Sequence, residues 1–426
     1  MSWRILYDTR KISVTDAAAL VQSNSQIALG TQCAEPQRLV ERLVGRHREL
    51  ENVELIGSVM GSPCPYAQPE MKGSFTFKTF LGSKATVAGM KAGVADYIPV
   101  HLSQIAQLFQ DGLFKPDIAM IQVAPPDEDG YCSLGLSVDY LPDAIRAARV
   151  VVAEVNDRMP YTLGETKLHV SQIDHIVCVS QPVLTLPPIN SGPAERVIAS
   201  YVATLVPDGA TVEVGMGSTP FAAAKNLAAK KELRLHTGLL SDWVLDLVTA
   251  ECLEESHPVI ATIIAGSQKL YDFVDRNSRI QLHPSKYTHS ATVLAGLRNF
   301  VAINSALEVD LTGQVNTEGI GKNHLAGTGG LADFSTAANR GPRAKNIIAM
   351  PATSASGQSR LVAQLSCSGG VSVTRADAQY VVTEYGIADL RGKSLRDRAS
   401  LLIAIAHPDF RAQLAHESEH ALSAQS

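Results

Sequence analysis

Three glycine-bearing turns stand out in the second half of the chain, at 215–217, 265–272 and 327–334, and glycine clusters of this kind are typical of turns that bind anions. Glycine lets a ligand approach the backbone closely, and the N–H groups of such a turn, or of the helix that follows it, bind phosphate or an oxyanion. The sequence therefore predicts a ligand site built largely from backbone amides. Its candidate cofactor-binding residues are Gly215, Met216, Gly217, Ser218, Thr219, Gly329 and Gly330.

The first of these turns lies within a predicted strand–helix–strand unit. A β-branched run at 211–214 ends at the turn, a helical segment follows, and residues 233–240 form a second strand-like run. Ligands of open α/β sheets bind at the carboxyl ends of the strands, where this turn lies. The alternative is that the glycines form a tight turn and bind nothing.

The first half of the chain contains a similar arrangement. Residues 26–30 form an apolar strand, and a short turn leads to a proline, which suits the first position of a helix. Residues 37–49 then have helical periodicity, and residues 53–58 form a second strand. We interpret the similarity as a duplication, although any two units of this kind resemble each other to some extent.

The duplication predicts an α/β fold with two tandem, similar open-sheet domains and a cleft between them. A proline-rich segment at 181–192 is the predicted linker. We assign the first domain to residues 1–186 and the second to residues 187–426.

The composition excludes several classes of protein. Of the 426 residues, 45% are apolar and 19% are charged, and the net charge of -5 favours neither a nucleic-acid nor a membrane surface. The start of the chain lacks the apolar core of a signal peptide. Six scattered cysteines without a Cys-x-x-Cys pair predict free thiols in a reducing cytoplasm. No clustering of His, Cys and Asp suggests a metal.

Longer motifs allow a more specific interpretation. They are VGMGSTP (214–220), LHTGLLSD (235–242), GSQKLYDF (266–273), INSALEVDLTGQV (303–315), GTGGLADF (327–334) and RADAQYVVTEYGIADLRGKSLRDRA (375–399). In this order they resemble the acetyl-CoA hydrolase/transferase family, in the branch of class I CoA-transferases that contains 4-hydroxybutyrate CoA-transferases. The similarity covers nearly the whole chain and is densest from 211 to 413.

The resemblance implies two domains of the CoA-transferase type, with coenzyme A bound mainly by the second. It implies an acyl-CoA and a small carboxylic acid as partners, and a homodimer or homotetramer. Five cations are then candidates to bind the phosphates of coenzyme A, and the alternative for most of them is an exposed, solvated side chain: Lys269, Lys322, Arg340, Arg343 and Lys345.

The chain departs from the family at the residue that matters most for the chemistry. In the family a glutamate attacks the acyl-CoA and carries CoA as a glutamyl thioester, within a pattern that reads roughly His-Ser-Glu-Met-Phe-Ser-Asp. Here the matching residues are His236-Thr237-Gly238-Leu239-Leu240-Ser241-Asp242, which places Gly238 at the nucleophile position. Glycine cannot form the thioester, so the family's activity does not carry over unchanged.

Another acid is therefore a candidate for the chemistry. Strand alternation puts Glu213 on the same face as Gly215, beside position 238, where a carboxylate can act as general base on water. The alternative is a polar residue hydrogen-bonded to the turn. His236 is a candidate to bind a substrate carboxylate or a buried structural histidine. Glu35, in the first half, either reaches the cleft or sits at a helix entrance.

These residues predict an acyl-CoA-utilising enzyme, either a CoA-transferase or an acyl-CoA hydrolase, with Glu213, His236 and Gly238 at the reacting centre. The thioester carbonyl is placed near Gly238, polarised by the N–H group of Gly329 or Gly330. Two alternatives remain open, a non-catalytic acyl-CoA sensor and a non-transferase reaction such as decarboxylation.

Overall fold

The computed structural model describes residues 2–321, 323–366 and 370–423, with side chains described as far as residue 419. Lys322 and Cys367 therefore lie outside the described residues. The other five cysteines are free thiols, as predicted, and of these only Cys178 is exposed.

Short helices and strands alternate along most of the chain. In chain order, the α-helices are α1 (Trp3–Thr9), α2 (Val14–Ala19), α3 (Gln37–Val44), α4 (Val87–Ala92), α5 (Ile105–Gln110), α6 (Leu141–Ala147), α7 (Pro193–Leu205), α8 (Ser218–Asn226), α9 (Trp243–Thr249), α10 (Gln268–Val274), α11 (Ser285–Thr288), α12 (Ala291–Ala295), α13 (Leu331–Arg340), α14 (Leu395–Ala404) and α15 (Pro408–Ser423). The strands are β1 (Gln26–Leu29), β2 (Val53–Gly57), β3 (Phe75–Thr79), β4 (Ala95–Tyr97), β5 (Ile118–Val123), β6 (Tyr131–Ser133), β7 (Val150–Asn156), β8 (Leu163–Gly164), β9 (Lys167–His169), β10 (His175–Val179), β11 (Thr211–Val214), β12 (Arg234–Leu235), β13 (Leu239–Leu240), β14 (Val259–Ala261), β15 (Ile263–Ile264), β16 (Ile280–Leu282), β17 (Val301–Asn304), β18 (Glu308–Asp310), β19 (Val315–Asn316), β20 (Gly319–Ile320), β21 (Asn323–His324), β22 (Lys345–Ala349), β23 (Leu361–Val362), β24 (Tyr380–Thr383) and β25 (Gly386–Asp389).

The chain forms two compact units. The first contains the residues up to Pro187 together with 240–242 and 258–288, and the second contains 188–239, 243–257 and the residues from His289 onward. Helix α10, which bears Lys269, thus belongs to the first unit, although its residues follow the predicted linker in the sequence.

The first unit is built on an all-parallel sheet in the order β10-β7-β5-β1-β2-β3-β4. Parallel strands covered on both faces are continuously apolar, and all six residues of β5 are buried. Side chains such as Ile27, Leu55 and Phe77 form one apolar cluster on this sheet.

The second unit has its own sheet in the order β12-β11-β17-β22-β24-β25, parallel except for the last strand. Helix α13 packs on β17, where Phe334 and Ala302 belong to one buried cluster. The prediction of an α/β fold with open sheets in both halves is confirmed.

Three predicted boundaries differ from the structure. The run 233–240 is not one strand, because β12 ends at Leu235 and β13 begins only at Leu239. The predicted helix 37–49 ends at Val44, since Gly45 caps it. The residues from 416 onward are largely polar, which predicts a frayed end, but α15 continues to Ser423. Among the described residues, no helix is both long and apolar enough to cross a membrane.

Candidate functional site

The glycine turn at 215–219 lies at the carboxyl end of β11, as the strand–helix–strand pattern predicted. Gly217 has φ 133°, a conformation that side chains rarely adopt, so glycine is required there. It is the N-cap of α8, which begins at Ser218. The turn therefore ends in the N–H groups of a helix first turn, which favour an anion.

Glu213 is the buried acid of this strand end. Only 2% of the residue is exposed, and its carboxylate accepts a hydrogen bond of 2.7 Å from Nδ2 of Asn304 on the neighbouring strand β17. Burial raises the pKa of Glu213 to about 8, and the hydrogen bond from Asn304 only partly opposes this effect. A carboxyl group with such a pKa exchanges a proton close to neutral pH, which suits acid–base catalysis.

Asn304 also explains why position 215 is occupied by a glycine. A Cβ at position 215 would lie 2.1 Å from Oδ1 of Asn304, so any side chain there would displace the residue that holds Glu213. Glu213 and Gly215 are thus brought together around Asn304, on the face that strand alternation predicted.

The break between β12 and β13 has a local cause. The hydroxyl of Thr237 donates to the backbone oxygen of Val214 at 3.0 Å and accepts from the Val214 N–H at 3.3 Å. Side-chain bonds to the backbone compete with the strand ladder, so the chain leaves the sheet here. His236 still donates its backbone N–H to Val212 at 3.0 Å and is buried. The next residue but one, Gly238, is therefore held at the end of β11.

Gly238 faces a histidine that the sequence analysis did not single out. A Cβ built at position 238 would lie 3.0 Å from Nε2 of His289 and 3.8 Å from Cε2 of Phe334. A Cβ at Gly330 would meet the same two rings, at 2.6 Å from Nε2 and 2.8 Å from Cε2. The edge of one imidazole thus lies against both glycines, which are distant in sequence.

The rings connect these glycines to the sheet. His289 is 1% exposed and packs on Phe334 with ring centroids 4.6 Å apart. Phe334 in turn packs with Ala302, which is paired in register with Glu213. His289 and Phe334 therefore link Gly238 and Gly330 to the buried cluster that contains Ala302, the in-register neighbour of Glu213.

Other candidates lie elsewhere. Lys269 is on the exposed side of α10 in the first unit, and its role stays a prediction. Glu35 is also in the first unit, where burial raises its pKa to about 7 against the opposing effect of the Ser62 and Tyr66 hydroxyls. Its role in a cleft likewise stays a prediction. Met216 is half-exposed beside the turn, and its role in binding also stays a prediction.

The tight fit around Gly330 gives a stability prediction. We expect Gly330→Ala to lower the free energy of unfolding by about 1–3 kcal/mol, because the new methyl group overlaps two buried rings that cannot swing into solvent. Urea unfolding followed by circular dichroism measures the change. Gly296→Ala is the matched control, since its Cβ would meet nothing closer than 3.5 Å. Equal unfolding free energies for the two variants would contradict this packing.

Comparison with known proteins identifies the family. Residues 2–187 match the acetyl-CoA hydrolase/transferase N-terminal domain, and residues 266–418 match the C-terminal domain. The chain is 37% identical to the 4-hydroxybutyrate coenzyme A transferase of Clostridium kluyveri, over 98% of this chain and 99% of that protein. It is 36% identical to the succinyl-CoA:cyclohexane-1-carboxylate CoA transferase of Geobacter metallireducens, over 96% and 94% respectively.

A solved structure has the same fold. The crystal structure of RipA from Yersinia pestis superposes with a TM-score of 0.94 at 29% identity, covering 99% of each chain. The family domains, the relatives and the fold agree with the resemblance predicted from the motifs. The chain is therefore a member of the acetyl-CoA hydrolase/transferase family of enzymes.

Proposed function

We propose that this protein binds an acyl-CoA at the carboxyl edge of its second sheet and cleaves the thioester by hydrolysis. The observations that carry the proposal are the buried carboxylate of Glu213, held by Asn304 at the end of β11, and the glycine at position 238, which follows the Thr237 side chain that bonds to the last residue of the same strand. The family description covers both hydrolysis and transfer of acetyl-CoA. Position 238 has no nucleophilic side chain, and transfer of the acyl group to water requires no covalent enzyme intermediate.

The turn at 215–219 is the proposed binding site for the phosphate-bearing part of coenzyme A. Its left-handed Gly217 and the first turn of α8 offer backbone N–H groups to an anion. The N-terminal turn of α13, after Gly329 and Gly330, offers a second set of N–H groups for the thioester carbonyl. Lys269 is a further candidate for a phosphate, and His236 for a substrate carboxylate.

The proposed step is attack of water on the thioester carbonyl. Glu213 in its ionised form accepts a proton from the water as the new C–O bond forms. The C–S bond then breaks, and the proton passes from Glu213 to the departing thiolate of coenzyme A. The products are a free carboxylic acid and coenzyme A, and Glu213 returns to its ionised form.

Transfer to a small carboxylic acid is the second candidate, favoured by the names of the relatives. In this reaction the carboxylate of the acid attacks the thioester in place of water, which gives a mixed anhydride and the thiolate of coenzyme A. The thiolate then attacks the carbonyl that came from the acceptor, forming the new acyl-CoA and releasing the original acid. We further propose that the protein forms a homodimer or homotetramer and that it is located in the cytoplasm. The free thiols of the described cysteines support the cytoplasmic location.

The test is thiol release from short acyl-CoAs, followed with a thiol-reactive chromophore, with and without added acetate or butyrate. We expect release without an acceptor acid, and no glutamate modified after borohydride or hydroxylamine treatment and mass spectrometry. CoA exchange that requires the acceptor, together with a modified glutamate, would establish covalent transfer instead. Calorimetric binding of acyl-CoA with no turnover would identify a sensor.

A further inference from the structure

The ring of His289 contacts both glycines of the proposed reacting centre. Its Nε2 would be 3.0 Å from a Cβ at position 238 and 2.6 Å from a Cβ at position 330. Neither glycine has the left-handed backbone that would itself require glycine, and Gly330 has φ −78°. The backbone therefore does not explain why both positions lack a side chain, whereas the imidazole does.

We propose that His289 takes the place of the missing side chain at position 238 and acts as a hydrogen-bond donor to the thioester carbonyl. This inference rests on the proposed function, because it takes the acyl group to lie near Gly238. The ring edge that carries Nε2 points toward the backbone of Gly238 and Gly330, where the carbonyl of the substrate is proposed to bind.

The chemistry follows from where charge develops. As water attacks, the carbonyl oxygen gains negative charge, and Nε2–H stabilises it by a hydrogen bond while keeping its proton. The proton of the water goes to Glu213 and then to the thiolate, so each group has one role. Because His289 is 1% exposed, bulk water does not compete for this hydrogen bond, which is stronger in such surroundings.

The close contact of His289 with the two glycines also means that the site must open before an acyl group can bind. The imidazole edge lies so close to Gly238 and Gly330 that the acyl group reaches it only when these backbone segments separate. Gly329, with φ 55°, places a conformationally permissive residue at this point.

The first test compares His289→Gln with His289→Met. The glutamine amide nitrogen reaches the position of Nε2 and keeps a donor, whereas methionine fills similar space without one. We expect kcat to fall about 10²–10³-fold in His289→Met, the usual effect of losing one such donor. We expect His289→Gln to retain most of the activity, and both variants to bind coenzyme A as the wild type does.

The second test does not depend on turnover. It uses a ketone analogue of acetyl-CoA in which a methylene group replaces the sulfur, and follows the carbonyl stretch by infrared difference spectroscopy. We expect a shift to lower frequency on the wild type and on His289→Gln, and a clearly smaller one on His289→Met, where only the backbone N–H groups of the α13 N-terminal turn remain. His257→Met is the control, since His257 is a surface residue paired with Glu254.

The outcomes separate this inference from the proposed function. If the wild type cleaves no acyl-CoA, the proposed function fails, yet the carbonyl shift still decides the role of His289. An identical spectrum for the wild type and His289→Met, or no shift in the wild type, overturns the inference. Equal loss of activity in both His289 variants also overturns it, because it would assign the imidazole a role other than donor.

Discussion

Replacing Glu213 by Gln is expected to reduce thioester hydrolysis about 10²–10⁴-fold, the usual contribution of a positioned general base. The amide keeps the size of the carboxylate and can still bond to Asn304, which contacts it at 2.7 Å, but it accepts no proton from water. Thiol release under single-turnover conditions measures the loss, and calorimetry with coenzyme A checks that binding persists.

The matched control is Glu308→Gln in the same unit. The Glu308 carboxylate also accepts a bond from an asparagine amide, that of Asn316 at 3.2 Å, but it lies on β18, outside the second sheet. We expect this variant to keep full activity. Unchanged hydrolysis in Glu213→Gln would remove Glu213 from the mechanism, and an equal loss in both variants would point to a general effect on the fold.

The pH profile gives an independent check on the same residue. The base must be ionised, and burial raises its pKa to about 8, so we expect kcat/KM to rise with pH and level off above about pH 8.

The free energy of unfolding should change with pH in the opposite direction. Between the ordinary pKa of 4.5 and about 8, the folded state binds more protons than the unfolded state, so the free energy of unfolding falls as pH rises.

In Glu213→Gln, we expect both the rise of kcat/KM with pH and the fall of the free energy of unfolding with pH to be lost. The variant should lose the stability gradient between about pH 4.5 and pH 8 that Glu213 contributes, because its amide does not titrate. Urea unfolding of both proteins at several pH values measures the difference. A wild-type stability that does not fall over this range relative to the variant would mean that the pKa of Glu213 is not raised in the folded protein.

Local sequence was sufficient for the features that depend on local chemistry. The β-branched run at 211–214 forms β11, and the glycines after it form the turn that enters α8. The capping box of Ser394 and Asp397, two polar residues three positions apart, starts α14. In each case a backbone preference or a short-range hydrogen bond decides the structure.

Features set by contacts between distant residues could not be predicted in this way. The run 233–240 has strand-like residues throughout, yet the bonds from Thr237 to Val214 break it. His289 carries no motif, and its position against Gly238 depends on the packing of Phe334 on β17. Sequence reasoning identified Gly238 as the anomaly but not the ring that fills its place. The signal available in the sequence was the absence of a side chain at both Gly238 and Gly330. Only the structure shows that both positions face the same histidine ring.

Restoring a glutamate at position 238 is expected to fail unless His289 is removed as well. The Cβ of a new side chain would lie 3.0 Å from Nε2, closer than most such contacts, and the carboxylate would have to extend past a buried ring. We therefore expect Gly238→Glu alone to be less stable and to form no glutamyl-CoA thioester. In Gly238→Glu/His289→Gly the volume of the imidazole becomes available to the acid.

The double variant should then exchange CoA between acetyl-CoA and an added carboxylic acid through a covalent intermediate. Mass spectrometry after hydroxylamine or borohydride treatment locates the modified residue, and Gly238→Gln/His289→Gly is the control that lacks a nucleophile. If the single variant transfers CoA as well as the double variant does, the imidazole does not close this position. If the double variant folds and binds coenzyme A but yields no adduct, position 238 does not face the sulfur. An adduct confined to the double variant would mean that one pair of residues, Gly238 and His289, decides whether CoA is carried on the enzyme as a glutamyl thioester or the acyl group is passed directly to water.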